Sequence, residues 1–424
     1  MVKLLQNDVL TMTLTSFTDR EIQLNTWPRK LIAITLVLVI CGAVIYRTWW
    51  LFLAAWITRN DKADPAIYER AIKYDPKNAD YRFALAHIYN YSTEHLNPAR
   101  AGEELEAAVR LNPYRAAYWL ELSKYYEQSK NIDRSVFAMK MALEREPYYA
   151  QMHWAAANLY IRLNDLKSAD SELRRTADLD VKYLTQALDL VWQFYEDPRP
   201  IMSTHVPDTK EANLIALNYF ISQKSETGAE LAWSRLKTFP TNAPERFPYI
   251  EYLVSIGKPH DAWNIFNFPS THSAAMVFNP SFETEPMNGG FDWRFGSTDH
   301  AEARRDTFTA QEGLASWRVA FDGKENVDYS ALAHWIPVVK GHQYKLSFWM
   351  KTEAITTNEG VFVEVGGQAS EKQIGTTKWT QFTIPFTANT DLVTIHLRRV
   401  PSKKFDNMLK GKVWLDSFGL AEVQ

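Results

Sequence analysis

The chain has 424 residues, and its 47 Lys and Arg against 50 Asp and Glu give a formal net charge of −3. This length predicts two or three domains, and the near-balance of charge argues against nucleic acid as a partner. One cysteine forms no internal disulfide, and 15 Trp, 20 Tyr and 22 Phe beside only 16 Gly and 19 Pro exclude disordered and collagen-like classes.

The first predicted element is a membrane-spanning helix at residues 31–57. This run is apolar apart from Arg47 and exceeds the roughly 20 residues that a helix needs to cross a bilayer. Arg29 and Lys30 precede it, and positive residues favour the cytoplasmic side. We therefore expect a single-pass protein with the lipid bilayer as a partner, a cytoplasmic tail at residues 1–30, and all later domains in the periplasm or outside the cell. The alternative is a buried first helix of the domain that follows.

Helical patterns that end in proline then recur along the chain. Pro76, Pro113 and Pro147 close successive units at steps of 37 and 34 residues, and a period of this size is typical of helical repeat proteins. In the unit that ends at Pro147, large and small residues alternate at Trp119, Leu122, Ser123, Tyr126, Ser135, Met139 and Ala142. This pattern resembles the tetratricopeptide repeat, and the resemblance implies an all-α solenoid over residues 58–268. Such arrays bind proteins on a concave surface, so we expect membrane-embedded or envelope proteins as partners.

The predicted repeat units differ in detail. The step of 37 reflects three extra residues, 95–97, in the turn between two helices. A later unit has Val181 where the proline falls in the others. Over residues 183–266 only fragments of the pattern remain, which we interpret as degenerate helix pairs interrupted by a proline-rich loop at 198–207. Extending the repeat frame backwards from Ala71 predicts that the membrane helix runs unbroken into the first repeat.

After Pro269 the hydrophobic period changes from that of a helix to that of a strand. Polar and apolar residues alternate along 342–350. Apolar residues also recur at every second position in three further segments, at Val361/Val363/Val365, Phe382/Ile384/Phe386 and Val393/Ile395/Leu397. Several short alternating strands predict an all-β sandwich at residues 276–424, so the expected fold is multi-domain, with a transmembrane helix, an all-α solenoid and then a sandwich.

The order of motifs in this sandwich is more specific than its alternation. VFNPSFE at 277–283, EGLASWRVAFDG at 312–323 and GKVWLDSFGL at 411–420 resemble the galactose-binding-like jelly roll of non-catalytic carbohydrate-binding modules. The resemblance implies a glycan partner and a structural calcium held by Glu283, Asp416 and backbone carbonyl oxygens. Ser417 stands where that family usually has a second acidic residue, and the alternative is that both carboxylates cap backbone N–H groups.

Sugar recognition needs an aromatic ring that stacks on a pyranose and polar groups that bind its hydroxyls. Trp349 meets the first need, because strand alternation turns Phe348 and Met350 inward and its indole outward. By the same alternation His396 and Arg398 face outward on their own strand and are candidate polar partners. The alternatives for Trp349 are that it covers the second face of the sandwich or docks on the helical repeats.

The remaining features bear on the class of protein. The basic segment 398–412 is either a contact for anionic polysaccharide or lipid headgroups or a solvated loop. The sequence contains no HExxH, Gly-rich phosphate loop, G-x-S-x-G or CxxC motif, so we predict that the protein is not an enzyme. The combination of anchor, repeats and jelly roll resembles membrane-anchored accessory proteins of bacterial exopolysaccharide or O-antigen assembly. The competing interpretation is a protein-only scaffold of the cell envelope or of a secretion complex.

Overall fold

The computed structural model describes residues 26–59, 63–268, 276–296 and 298–423. Most of the predicted cytoplasmic tail, residues 1–25, lies outside the described residues. The chain divides into two compact units, residues 1–152 and residues 153–424. Helices come first and strands follow, which confirms the predicted fold class of helical repeats and an antiparallel sandwich.

Consecutive helices, joined by short turns, form the first part of the chain. These helices are α1 (Trp27–Thr58), α2 (Pro65–Tyr74), α3 (Ala79–Tyr91), α4 (Pro98–Leu111), α5 (Ala116–Gln128), α6 (Ile132–Arg145), α7 (Ala150–Arg162), α8 (Leu166–Leu179), α9 (Leu184–Tyr195), α10 (Pro198–Thr204), α11 (Lys210–Ser222), α12 (Glu226–Leu236), α13 (Ala243–Ser255) and α14 (Pro259–Asn267). A 3-10 turn, Val181–Tyr183, precedes α9. Neighbouring helices such as α3 and α4, or α5 and α6, pack as pairs.

Helix α1 is longer than the predicted span and has two parts. Among the described residues it is the single helix whose length and composition would allow it to cross a membrane. Its first part is exposed, whereas Ala54 is fully buried and the Trp50 ring lies 4.9 Å from the Tyr74 ring of α2. The helix therefore begins at Trp27 and continues without a break into the first helix pair, as the repeat frame predicts.

Small residues lie where the two helices of a pair meet. Ala86, Ala108 and Ala142 are fully buried, at the positions that the repeat frame assigns to close helix contact. Ser123 on α5 and Ser135 on α6 face each other, and each hydroxyl donates to the other residue's carbonyl oxygen at 2.9 Å. The hydrogen-bonding capacity of both buried hydroxyls is thus satisfied. Larger side chains at these positions would hold the two helices further apart.

The turns inside the helix pairs follow the predicted spacing. The turn between α3 and α4 holds six residues, 92–97, whereas the turn between α5 and α6 holds three, 129–131. In both turns an asparagine caps the next helix: Asn97 accepts from the Arg100 amide at 3.2 Å and Asn131 from the Arg134 amide at 3.4 Å. The three extra residues of the first turn therefore precede the cap, and the capping residue is asparagine in both turns.

The prediction of a loop at 198–207 was wrong for most of that segment, because α10 occupies Pro198–Thr204. Asp197 caps this helix, accepting from the Arg199 amide at 3.0 Å. Pro198 is the first helical residue, where its missing N–H has no intrahelical partner to lose. Burial of Ile201 and Met202 then fixes the short helix in the core of the second unit.

The strands form two antiparallel sheets. They are β1 (Ala301–Asp306), β2 (Ser316–Asp322), β3 (Tyr329–Pro337), β4 (Gln343–Ile355), β5 (Phe362–Val365), β6 (Gln368–Ala369), β7 (Gly375–Thr387), β8 (Leu392–Arg399) and β9 (Lys410–Val423). One sheet has the order β1-β2-β9-β4-β7 and the other the order β3-β8-β5-β6. Inward-facing side chains of both sheets, Phe348 and Leu397 among them, make up one buried core.

The last helix pair packs against the sandwich within the second unit. Phe291, which precedes β1, lies 5.8 Å from Phe266 of α14 and 6.3 Å from Trp335 of β3, measured between ring centroids. The Arg294 guanidinium lies 3.5 Å from the centre of the Trp335 ring and pairs with Glu251 of α13 at 3.2 Å. The helices thus meet the sandwich on the side of its four-stranded sheet.

Candidate functional site

Trp349 lies on the outer face of the five-stranded sheet. It is partly exposed, whereas its neighbours Phe348 and Met350 are fully buried, as strand alternation predicts. Its register partners are Gln381 on β7 and Asp416 on β9. The pairing of β4 with β9 shifts between Ser347 and Trp349, so the indole stands beside a β-bulge, a feature that often re-aims a side chain next to a functional site.

A second indole, that of Trp414, lies on the same face. Trp414 pairs with Lys351, whose ammonium group is 5.1 Å from the centre of the indole, and Lys412 approaches the same ring at 5.9 Å. The Trp414 Nε1 donates to Asp306 Oδ2 at 2.8 Å. Two lysines therefore cover this ring, which leaves Trp349 as the more accessible aromatic surface.

Asp306 keeps its negative charge beneath this second indole. Burial alone would raise the pKa of its carboxyl, but the hydrogen bonds from Trp414 and the Phe308 amide, with Arg318 and Arg304 nearby, outweigh burial and lower the pKa. We did not predict this pair from sequence. Strand alternation was the sequence signal for it: Val413 and Leu415 are apolar and face the core, so Trp414 between them faces the outer side of the sheet.

His396 and Arg398 lie on the outer face of the other sheet. Both belong to β8 in the four-stranded sheet, while Trp349 belongs to β4 in the five-stranded sheet. Packed sheets are about 10 Å apart and their outer faces point in opposite directions. The prediction of one platform made of all three residues was therefore wrong in its geometry, because alternation assigns a face within a sheet and leaves open which sheet a strand joins.

The two β8 residues share a carboxylate. His396 is in register with Glu364 on β5, and Arg398 Nε lies 3.6 Å from Glu364 Oε2. Burial lowers the pKa of His396, and the opposing effect of Glu364 does not cancel it. Because His396 lies on the opposite outer face of the sandwich, it is out of reach of a sugar that stacks on Trp349.

Glu283 and Asp416 both hold the loop between β1 and β2. Asp416 accepts from the amides of Gln311 at 2.7 Å, Glu312 at 3.2 Å and Ser417 at 2.6 Å. Glu283 accepts from the Leu314 amide at 2.9 Å and the Ala315 amide at 3.3 Å. The two carboxylates, which come from opposite ends of the domain sequence, thus fix one loop between them.

This arrangement fits capping better than a cation cage. The groups that face the carboxylate oxygens are N–H donors, and calcium is bound by oxygen ligands. Burial raises the pKa of Asp416, although its amide partners act in the opposite direction. Among the described residues, no three His, Cys, Asp or Glu side chains are grouped as a metal site would need. We therefore favour capping over calcium binding at Glu283 and Asp416.

The basic segment 398–412 is not uniformly solvated. Arg399 is fully buried and donates to Asn326 Oδ1 at 2.7 Å and to the Val327 and Asn407 carbonyl oxygens. Lys403 and Lys404 are exposed. One of its six basic side chains therefore holds the loop in place, and the exposed lysines are what the segment offers to a partner.

The helical repeats present a polar and aromatic surface on their first helices. On α3 the rings of His87 and Tyr91 lie 4.5 Å apart, and the Tyr91 hydroxyl donates to Glu121 of α5 at 2.8 Å. Glu121 also pairs with Lys124 at 2.6 Å. His87 and Tyr91 are exposed and Glu121 is half-buried, so this cluster bridges neighbouring repeats at the surface.

No family model and no curated protein matches this chain. It is similar to the solved structure of YrrB, described as a TPR protein with an unusual peptide-binding site, at 13% identity over 48% of this chain and 90% of that chain, with a TM-score of 0.26. It is also similar to TmCBM61 in complex with β-1,4-galactotriose, at 19% identity over 36% of this chain and 100% of that chain, with a TM-score of 0.26. A third similar structure is the CBM22-1 xylan-binding domain of Xyn10C from Paenibacillus barcinonensis, at 16% identity over 34% of this chain and 92% of that chain, with a TM-score of 0.24.

Proposed function

We propose that the chain is a non-catalytic, membrane-anchored adaptor that binds glycan through the outer face of its five-stranded sheet and protein partners through its helical repeats. One observation carries the glycan part: the partly exposed indole of Trp349 lies in an otherwise polar row beside a β-bulge. Indoles stack on the apolar face of a pyranose, and Gln381 and Lys351 on the same face supply donors for its hydroxyls.

The experiment compares two variants of the full chain in detergent. Trp349→Ala should abolish retention on immobilised polysaccharide and leave the melting temperature unchanged, because the ring lies outside the core. His396→Ala, on the outer face of the opposite sheet, is the matched control and should keep binding. Loss of binding in His396→Ala alone would move the site to the four-stranded sheet, and no glycan binding by the unaltered chain would refute the proposal.

The anchoring part of the proposal rests on the apolar, exposed first part of α1 and on Arg29 and Lys30 in its first turn. The chain should stay with the membrane on carbonate extraction, and protease added to spheroplasts should digest the regions after α1. Release of intact chain into the soluble fraction would contradict the anchor, and full protection from protease would reverse its orientation. In the cell we propose a role in assembly or export of exopolysaccharide or O-antigen, which predicts less surface polymer in a Trp349→Ala strain.

A protein-only scaffold is the second candidate function. The contact of Phe291 and Trp335 with the last helix pair favours it, because a sandwich that covers the end of a repeat array has a structural task without any sugar. Under that alternative Trp349→Ala leaves surface polymer unchanged, while loss of the whole sandwich lowers the solubility of the repeats.

A further inference from the structure

Helix α1 changes its surroundings at Arg47. Side chains from Trp27 to Tyr46 are exposed almost throughout, and these 20 residues are about 30 Å long as a helix, the thickness of a bilayer's hydrocarbon core. Arg29 and Lys30 lie in the first turn, from which their long side chains extend to the headgroups. From Trp50 onward one face of the helix, which includes the fully buried Ala54, packs on α2. Residues 27–46 are thus the part of α1 that matches a membrane span, and the remainder is the first helix of the first repeat.

Arg47 ties the end of this span to the turn after α2. Its guanidinium donates to Asp75 Oδ1 at 2.8 Å and to the Tyr74 carbonyl oxygen at 3.2 Å. Only 12% of the Asp75 side chain is exposed, whereas 49% of the Arg47 side chain is. The turn at 75–78 therefore lies where α1 leaves the bilayer.

The next two turns between repeats lie on the same side of the first unit. Arg115 in the turn at 112–115 pairs with Asp80, in the first turn of α3, at 2.7 Å. Arg145, beside the turn at 146–149, donates from Nε to the Pro113 carbonyl oxygen. Each turn is thus linked by hydrogen bonds to the turn, or the helix start, of the preceding repeat.

These turns carry exposed tyrosines. Tyr114 is 83% exposed, Tyr148 79% and Tyr149 50%. The turns at the other end of the same helix pairs, 92–97 and 129–131, contain no Trp, Tyr or Phe. Tyrosine favours the interface between membrane and water because its ring is apolar and its hydroxyl is polar.

We propose that the three turns at 75–78, 112–115 and 146–149 lie on the outer bilayer surface, where Tyr114 and Tyr148 insert among lipid headgroups. This inference rests on the proposed membrane span. It makes the repeats of the first unit lie along the membrane, attached at several points.

The test uses the full chain in nanodiscs of phosphatidylcholine and phosphatidylglycerol, with a nitroxide on a fraction of the lipid headgroups. A fluorophore is attached to a single cysteine, introduced as Glu146→Cys beside Tyr148 in a Cys41→Ser background. The matched control is Ser129→Cys, in a turn at the other end of the helices. Headgroup nitroxide should quench the fluorophore at position 146 and leave the one at 129 unchanged, and Tyr114→Ser with Tyr148→Ser should reduce the quenching at 146.

A separate label on the native Cys41, inside the span, distinguishes the two ways in which the proposal fails. If lipids with a nitroxide in the acyl chain do not quench it, the span itself is wrong. If they quench it but position 146 is no more quenched than position 129, the span stands and the surface contact is refuted. Quenching at 146 that persists unchanged in the double tyrosine variant would also refute the role of the tyrosines.

Discussion

Single carboxylates decide the shape of the loop between β1 and β2. Asp416 accepts three amide N–H groups and Glu283 accepts two. Four of these amides belong to the loop, and the fifth is that of Ser417, next to Asp416. An unsatisfied buried amide costs about 1 to 3 kcal/mol. Asp416→Ala should therefore destabilise the sandwich by about 2 kcal/mol or more, measured by denaturant unfolding, and an effect below about 0.5 kcal/mol would contradict the capping role.

The same two residues allow a direct test of the calcium prediction. A ligand that binds only the native state raises its stability by mass action, so calcium at this site would make the melting temperature fall in EGTA. The amide donors around both carboxylates favour capping, and on that ground we expect equal melting temperatures in EGTA and in millimolar calcium. A lower melting temperature in EGTA that Glu283→Gln abolishes would establish the metal site.

His334 makes the stability of the sandwich depend on pH. Its Nε2 donates to the Phe278 carbonyl oxygen at 3.1 Å, and burial lowers its pKa to about 4. An unfolded histidine has a pKa near 6.5, so between these values the unfolded chain binds the additional proton and stability falls as the pH falls. The melting temperature should decrease from pH 7 to pH 4.5, and His334→Gln should flatten this dependence. An equally steep curve for the variant would assign the effect to other groups.

At the scale of elements, the close contacts between paired helices depend on small residues. Ala108 on α4 is fully buried between helices, whereas Ala99 on the same helix is exposed. Ala108→Leu should overpack the contact and lower the free energy of unfolding by about 1 to 3 kcal/mol. Ala142→Leu should act in the same way, and Ala99→Leu, the matched control, should change stability by less than about 0.5 kcal/mol. Equal effects at positions 99 and 108 would overturn the repeat register.

Sequence periodicity predicted these elements unevenly. Alternation placed Trp349 and His396 on outer faces correctly, because the side-chain period of a strand is local. It left open that their strands lie in different sheets, because sheet membership depends on contacts far apart in sequence. The helix at Pro198–Thr204 was missed for a related reason: three prolines within 198–207 indicate a loop, while the Asp197 cap and the burial of Ile201 favour a helix.

At the scale of the whole molecule, the sandwich is bound to its neighbouring helices by apolar contacts. Phe291 and Trp335 contact side chains of the last helix pair, and in residues 276–424 alone they would face water. The isolated sandwich should therefore melt at a lower temperature than a fragment of residues 243–424, which keeps α13 and α14. Equal melting temperatures would show that this contact contributes nothing to stability, and binding assays with the isolated sandwich would then be equivalent to assays with the chain.

The order of strands in the larger sheet has a consequence for biosynthesis. Strand β9 follows all the others in sequence but lies in the middle of its sheet, paired with β2 on one side and β4 on the other. Until β9 has been translated, β1 with β2 and β4 with β7 are separate ribbons with open edges, and two-stranded ribbons are marginal in water. The five-stranded sheet is thus completed only once β9 has been translated. A premature stop codon in β9 would remove the strand that joins the two halves of the sheet. The open strand edges that remain are prone to aggregation, and we expect chaperones or proteases to act on such a chain.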